Sequence, residues 1–422
     1  MRQREMRSST FASARPRVAA TRELLFPRQS LDVSQVRGNH RVLSEQACRQ
    51  VTVALLPRTV FNQHSTMNHA YAWCEGVVRV RARRVISAAR RIVWPRRLGP
   101  LILLYHRVAT LPNDPWNLAV SPAHFDEHLQ ILTATGRCLT LERMLKALHN
   151  GNIPFPCFVV TFDDGYLDNV ISAFPLLRKY AVPATLFLVS GMLSSMEEFW
   201  WDAIDRVFLT PGPRPLELSL TVSGKQYDWH LGAAADYRQS AYEADRGWRA
   251  TNGSEPPTLR HRVFLEVWEL LYGVASDERE RLVRHILQWA GFDRTGRPDY
   301  AIMSIEQALR LGSSGLIEIG AHGVTHSPLT EISPKMQRQE LTESKRQLES
   351  ILDRPVRSFA YPHSKFDAKI ASLVAECGFH AACTGEPYNV DPNTNPHTLP
   401  RVEVGDWDGH TFEKFLKRRI FD

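Results

Sequence analysis

No stretch of about eighteen consecutive apolar residues, the length a bilayer-spanning helix needs, occurs in the 422-residue chain. The strongest apolar run, Leu101 to Leu104 with its flanks, is cut by Arg96, Arg97 and His106. The N-terminus has arginine and serine but lacks the apolar core and small-residue cleavage site of a secretory signal, which points to a cytoplasmic protein. Six cysteines (Cys48, Cys74, Cys138, Cys157, Cys377, Cys383) include no C-x-x-C pair, which argues against a zinc knuckle or redox motif and reads as free thiols in a reducing compartment. Lysine is absent from the first hundred residues, where nineteen arginines face five acids, a balance of about +14. The formal net charge of +7 therefore leaves the remainder acidic by about 7. A folded region with that balance lacks the clustered cations that phosphate binding needs, so nucleic acid is excluded as a main partner.

What is present suffices for a large core: 43% of residues are hydrophobic, and the length lies between one large α/β domain and two smaller ones. Residues 1–66 show neither helical nor strand periodicity and read as a disordered basic arm. Within 67–98, Val77, Val80, Val85, Ile86 and Ala89 alternate with arginines as in a basic amphipathic helix. Two readings stay open for it, peripheral contact with the inner membrane face and an ordinary surface helix. From 99 to 422 strand and helix patterns alternate. LILLY (Leu101–Tyr105), CFVVTF (Cys157–Phe162) and Ala184 to Val189 read as buried strands, and Pro122 to Thr133 and Pro334 to Leu352 as helices. This βαβ grammar predicts a parallel sheet or barrel. Residues 199–298 break the rhythm with long helical patterns around a polar stretch and read as a helical insertion.

Two elements carry chemistry. TFDDGY places Asp163 and Asp164 directly after a buried strand, with Gly165 permitting a sharp turn. Strand side chains alternate between faces, so two adjacent acids can serve one site only where the strand ends. Helix capping is the competing reading of the same acids. GAHGVTHSPLT (Gly320–Thr330) carries His322 and His326 four residues apart, a spacing that on one helical turn puts both imidazoles on the same side. Asp164, His322 and His326 together form a three-ligand set with open positions, as expected of catalytic zinc. Asp163 then remains as a base for a metal-activated water.

At this point the residues resemble the polysaccharide deacetylase family, whose shared domain is the NodB homology domain (carbohydrate esterase family 4). TFDDGY is similar to its first motif, HGVTH to its second, and SFAYPHSKFD (Ser358–Asp367) to its third. The resemblance implies a distorted (β/α) barrel, Asp163 as base, Asp164, His322 and His326 as metal ligands, and the backbone amide of His363 in the oxyanion hole. Three departures stand out: Gly323 replaces the usual Ser or Thr, His363-Ser364 replaces aromatic-Gly, and Ala360 stands where many members carry an arginine that orients the base. Arg401 or Arg357 could take over that last role. Nothing after Arg401 matches the family's C-terminal histidine motif, but ILLYHRV puts His106 at the end of the first strand. The branch with permuted strand order, including poly-N-acetylglucosamine deacetylases, is similar in this. His106 is then the general acid, with an ordinary pKa near neutral that a neighbouring carboxylate could raise, and a metal-ligand or structural role is the rival reading. The implied activity is removal of N-acetyl groups from an N-acetylated sugar or polysaccharide with a divalent metal, Zn²⁺. The alternatives are a deformylase or O-acetyl esterase acting on a lipid-linked or nucleotide sugar, and a non-catalytic carbohydrate-binding module. Phe199, Trp200 and Trp201 offer rings for sugar stacking or for core packing.

Overall fold

The computed structural model describes residues 99–421, and the readings of 1–66 as an arm and 67–98 as a helix lie outside them. Three apolar runs are buried along their whole length: Leu101–Tyr105 (β1), Cys157–Phe162 (β2) and Ala184–Leu188 (β3). Strands covered on both faces have no reason to alternate polar and apolar residues, and such strands pair in parallel. With Ile317–Ala321 (β4), Ser358–Ala360 (β5), Ala381–Cys383 (β6) and Val402–Glu403 (β7) they form one parallel sheet in the order β6-β5-β4-β3-β2-β1-β7. A further two-residue strand, Arg137–Cys138, pairs with the start of β2.

The sheet curls until its edges nearly meet, and one segment bridges the gap. Leu399 is paired with β6 through its amide to Ala382 O (2.8 Å) and its carbonyl to Thr384 N (2.8 Å), while β7, which begins three residues on, pairs with β1. The first and last strands are therefore neighbours, as a closed barrel requires. Helices pack outside, each begun by a side-chain cap: Ser121 for Pro122–Thr135, Thr140 for Leu141–His149, Ser333 for Pro334–Leu352 and Asp367 for Ala368–Glu376. No helix among the described residues is long and apolar enough to cross a membrane.

Between β3 and β4 the chain leaves the barrel and builds a subdomain with its own apolar cluster, including Ile204, Phe208, Leu218, Phe264 and Ile286. Helices Trp200–Phe208, Leu259–Tyr272 and Ser276–Trp289 form much of it. The polar stretch between the first and second is not helical. It holds an antiparallel hairpin, Glu217–Val222 with Lys225–His230, in which Leu218, Leu220 and Val222 alternate inward. Arg260, fully buried, donates to the carbonyls of Val207 (2.9 Å), Phe208 (2.9 Å), Thr210 (3.1 Å) and Gly212 (2.8 Å), satisfying the carbonyls that the end of helix Trp200–Phe208 leaves free. On its return the chain pairs residues 301–303 against the turn after β2, through Leu167 N to Ala301 O and Met303 N to Gly165 O.

Candidate active site

β2 ends at Phe162, and Asp163 still donates its amide to Tyr105 O at 3.0 Å, in register with β1. Asp164 (φ +74°) and Gly165 (φ +94°) then turn the chain through the left-handed region. This breaks the alternation of strand side chains, and both carboxylates reach one imidazole: His322 Nε2 lies 3.8 Å from Asp163 Oδ2 and 3.6 Å from Asp164 Oδ1. Asp163 accepts two hydrogen bonds from Arg401, Nη1 to Oδ1 and Nη2 to Oδ2, both 2.7 Å. Arg401 is fully buried and is itself fixed by Nε to Thr384 O at 2.9 Å and Nη1 to Thr161 Oγ1 at 3.2 Å. Burial pushes the Asp163 pKa up, but the guanidinium outweighs it and holds the carboxyl below the usual range, so it is ionised at neutral pH. Of the two arginines the sequence offers, Arg401 stands at the acid. Arg357 is half exposed and lies 4.0 Å from Glu142.

His322 and His326 are not on a helical turn, contrary to the sequence expectation, because the backbone groups of this loop are spent on its neighbours. Ser190 N and Gly191 N donate to the carbonyls of Gly323 (3.0 Å) and Val324 (3.1 Å). The Glu340 carboxylate accepts from Val324 N (2.7 Å), Thr325 N (3.0 Å) and Thr325 Oγ1 (2.7 Å). Gly323 sits at φ +80°, and a Cβ there would come within 2.8 Å of Glu340 Oε2, which accounts for glycine at this place. The loop returns at His326 (φ +56°) and brings its Nε2 to 3.2 Å from His322 Nε2 and 3.3 Å from Asp164 Oδ1.

These three donor atoms lie within 4.8 Å of one another, and all three residues are buried. His322 Nδ1 donates to Ala360 O at 2.8 Å, which leaves its Nε2 as a bare lone pair, and Asp164 Oδ1 is buried without a hydrogen-bond partner. Burial lowers the pKa of His322 and, more strongly, of His326, so both rings are neutral. Burial and the charge of Asp163 raise that of Asp164. Two imidazole lone pairs and an unpaired carboxylate oxygen converging in a dry site leave a gap in hydrogen bonding that a divalent cation fits.

His106 follows β1, with its side chain 17% exposed and Nδ1 3.9 Å from Glu403 Oε1. Burial lowers its pKa; Glu403 and Asp163 act to raise it, as the sequence allows, but do not outweigh the burial. Asn169 Nδ2 donates to His106 O (2.9 Å), and Asp168 accepts from Val108 N and Arg107 Nε (each 2.9 Å). Asp168 and Asn169 thus hold the strand end that carries His106. Neither residue stands out in the sequence, although they lie just beyond TFDDGY, after Leu167.

His363 adopts φ +53° after Pro362, and its ring packs against His326 (centroids 4.5 Å), Tyr272 (5.0 Å) and Trp201 (6.2 Å). Burial lowers its pKa to about 3. Phe199 and Trp201 are buried and stacked at 4.4 Å, and the Trp201 indole donates to Tyr166 Oη, which donates in turn to Asp202. Those two rings are core; Trp200 alone of the three is half-buried.

A family model described as polysaccharide deacetylase matches residues 150–209 and 294–382. Among curated proteins, YxkH of Bacillus subtilis, which bears a polysaccharide deacetylase name, is 34% identical over 90 residues, 21% of this chain and 31% of its own. The poly-β-1,6-N-acetyl-D-glucosamine N-deacetylase of Staphylococcus epidermidis is 35% identical over 112 residues, 22% of this chain and 37% of its own. The chain thus matches about a third of the length of these relatives. Among solved structures, that of IcaB from Ammonifex degensii aligns with a TM-score of 0.47 and 17% identity, covering 76% of this chain and 97% of that one. The matched residues contain the turn with Asp163 and Asp164, the loop with His322 and His326 and the Pro362-His363 wall, and they lie on both sides of the inserted subdomain: over these two segments the chain is similar to the polysaccharide deacetylase family.

Proposed function

We propose that this protein hydrolyses the acetamide of an N-acetylated sugar, with Asp164, His322 and His326 holding a divalent cation, Zn²⁺ by the donor set. The carrying observation is the convergence of Asp164 Oδ1, His322 Nε2 and His326 Nε2 beside a carboxylate, Asp163, that Arg401 holds ionised. The cation would supply Lewis acidity toward the acyl oxygen and a lowered pKa for water. Asp163 takes the proton of the attacking water, and the bidentate Arg401 orients the carboxylate for it. The backbone amide of His363 faces the developing oxyanion, and His106 gives a proton to the leaving amine, which departs poorly as an anion.

The names of the relatives make poly-β-1,6-N-acetylglucosamine the first polymer to test. Acetate release is measured with and without added Zn²⁺ on that polymer, on N-acetylglucosamine and on a lipid-linked N-acetylhexosamine, with formate assayed in parallel. Zinc-dependent acetate without formate is the expected result. Absence of acetate from all three substrates overturns the reading.

A further inference from the structure

His322 and His326 differ in how their rings are held. His322 is oriented through Nδ1 by Ala360 O, whereas His326 Nδ1 is buried without a hydrogen-bond partner. A metal-binding imidazole is ordinarily fixed through its second nitrogen, and losing that support costs about 10–100-fold in affinity. His326 also carries a left-handed backbone, a conformation unfavourable for a residue other than glycine unless its surroundings impose it. Its surroundings therefore have to supply the orientation.

They come from the inserted subdomain. Arg279, on helix Ser276–Trp289, is 3% exposed and donates from Nη2 to Ser327 Oγ at 3.2 Å. Ser327 Oγ is 2.8 Å from Thr325 Oγ1, and Thr325 Oγ1 donates to Glu340 Oε1 at 2.7 Å. A chain of hydrogen bonds thus runs from a buried guanidinium through two hydroxyls to a buried carboxylate, and the hydroxyls belong to the residues on either side of His326. Trp201 of the same subdomain closes the space around the ring at 4.7 Å. Arg279 is held in turn over the Trp200 ring at 5.3 Å.

We infer that Arg279 is a positioning residue for the metal ligand His326, acting through Ser327 and Thr325, so that the inserted subdomain is a structural part of the metal centre. The inference rests on the reading of Asp164, His322 and His326 as ligands. It is tested in the full chain by two measurements: the dissociation constants of Zn²⁺ and Co²⁺, by competition with a chromophoric chelator, and hydrogen exchange at Val324 and Thr325 in the metal-free protein. Arg279→Met is expected to weaken metal binding by about 10-fold or more and to speed exchange at both amides. Arg279→Lys should restore part of each. Ser327→Ala, a one-atom change that leaves the fold intact even if Arg279→Met does not, should weaken binding similarly, and the double variant should add little to it. Unchanged metal affinity and unchanged exchange in Ser327→Ala, or full additivity with Arg279→Met, overturns the inference. If the wild type binds metal but releases no acetate, the proposed function fails while the inference is judged on affinity. If it binds none, the ligand reading and the inference fall together.

Discussion

In the barrel, Asp163, Asp164, His322 and His326 are all buried, and Asp164 Oδ1, His322 Nε2 and His326 Nε2 converge; in the inserted subdomain buried charge is spent on stitching the chain together. Glu198 accepts from Arg297 Nε and Nη2, and Asp205 faces the same guanidinium at 3.9 Å. Arg260 is consumed by four carbonyls. Both regions have acids displaced by burial: Asp202 and Asp205 are pushed up to about 7, although neither belongs to the ligand set. Shifted titration by itself therefore does not mark the site. Convergence of unpaired lone pairs from separate strand ends does, and the same comparison orders what substitutions should do.

The largest effect is expected at the barrel acids. Asp163→Asn keeps shape but cannot accept a proton, so kcat should fall by about 10²–10⁴-fold with metal content unchanged, whereas Asp164→Asn should lose the metal as well. Elemental analysis showing full occupancy in both variants would erase the distinction between base and ligand. His106→Ala is expected to cost a similar factor in kcat and to retain metal. Because burial holds its pKa below 6.5, the protonated fraction declines as pH rises through that lowered value, and the variant should lack this limb of the pH–rate profile. Loss of metal instead would make His106 a ligand.

Arg401→Met leaves Asp163 buried and unpaired, a change that costs on the order of 3–5 kcal/mol in comparable buried pairs. Without the guanidinium the Asp163 pKa rises, so the acid limb of the activity profile should move to higher pH. Denaturant unfolding and rate profiles check the two halves separately. The smallest effect on the reaction belongs to the inserted subdomain, where the readout is stability. Asp205 is raised to about 7 from an unfolded value near ~3.9, so its contribution to stability is fully present below the unfolded value and is lost as pH rises toward 7, at up to about 1.4 kcal/mol per pH unit. Asp205→Asn should flatten that loss without changing metal affinity. A variant as pH-sensitive as the wild type would place the titration elsewhere.

Much of this was legible before folding. A run such as CFVVTF announces a doubly buried strand by composition alone, and TFDDGY carries its own turn. The hairpin at 217–230 is masked in the sequence, although ELSLTV alternates with period two, because the surrounding helical patterns dominate the segment. Glu340 and Arg279 had no signal at all, each being a charged residue on an amphipathic helix like many others. The four-residue spacing of the histidines suggested a helix and was misleading, since Glu340, Ser190 and Gly191 take the backbone groups a helix would use.

The sequence by itself determined which residue types stand at the ends of β1, β2 and β4, and with them the candidate base and the three donors. Chain neighbours share a turn whatever the rest of the molecule does, so that information is local. Tertiary structure alone decided which arginine meets Asp163, from 238 positions away, and which subdomain steadies His326. Such partners are chosen by how strands curl into register and helices pack, and no periodicity within one segment carries that choice.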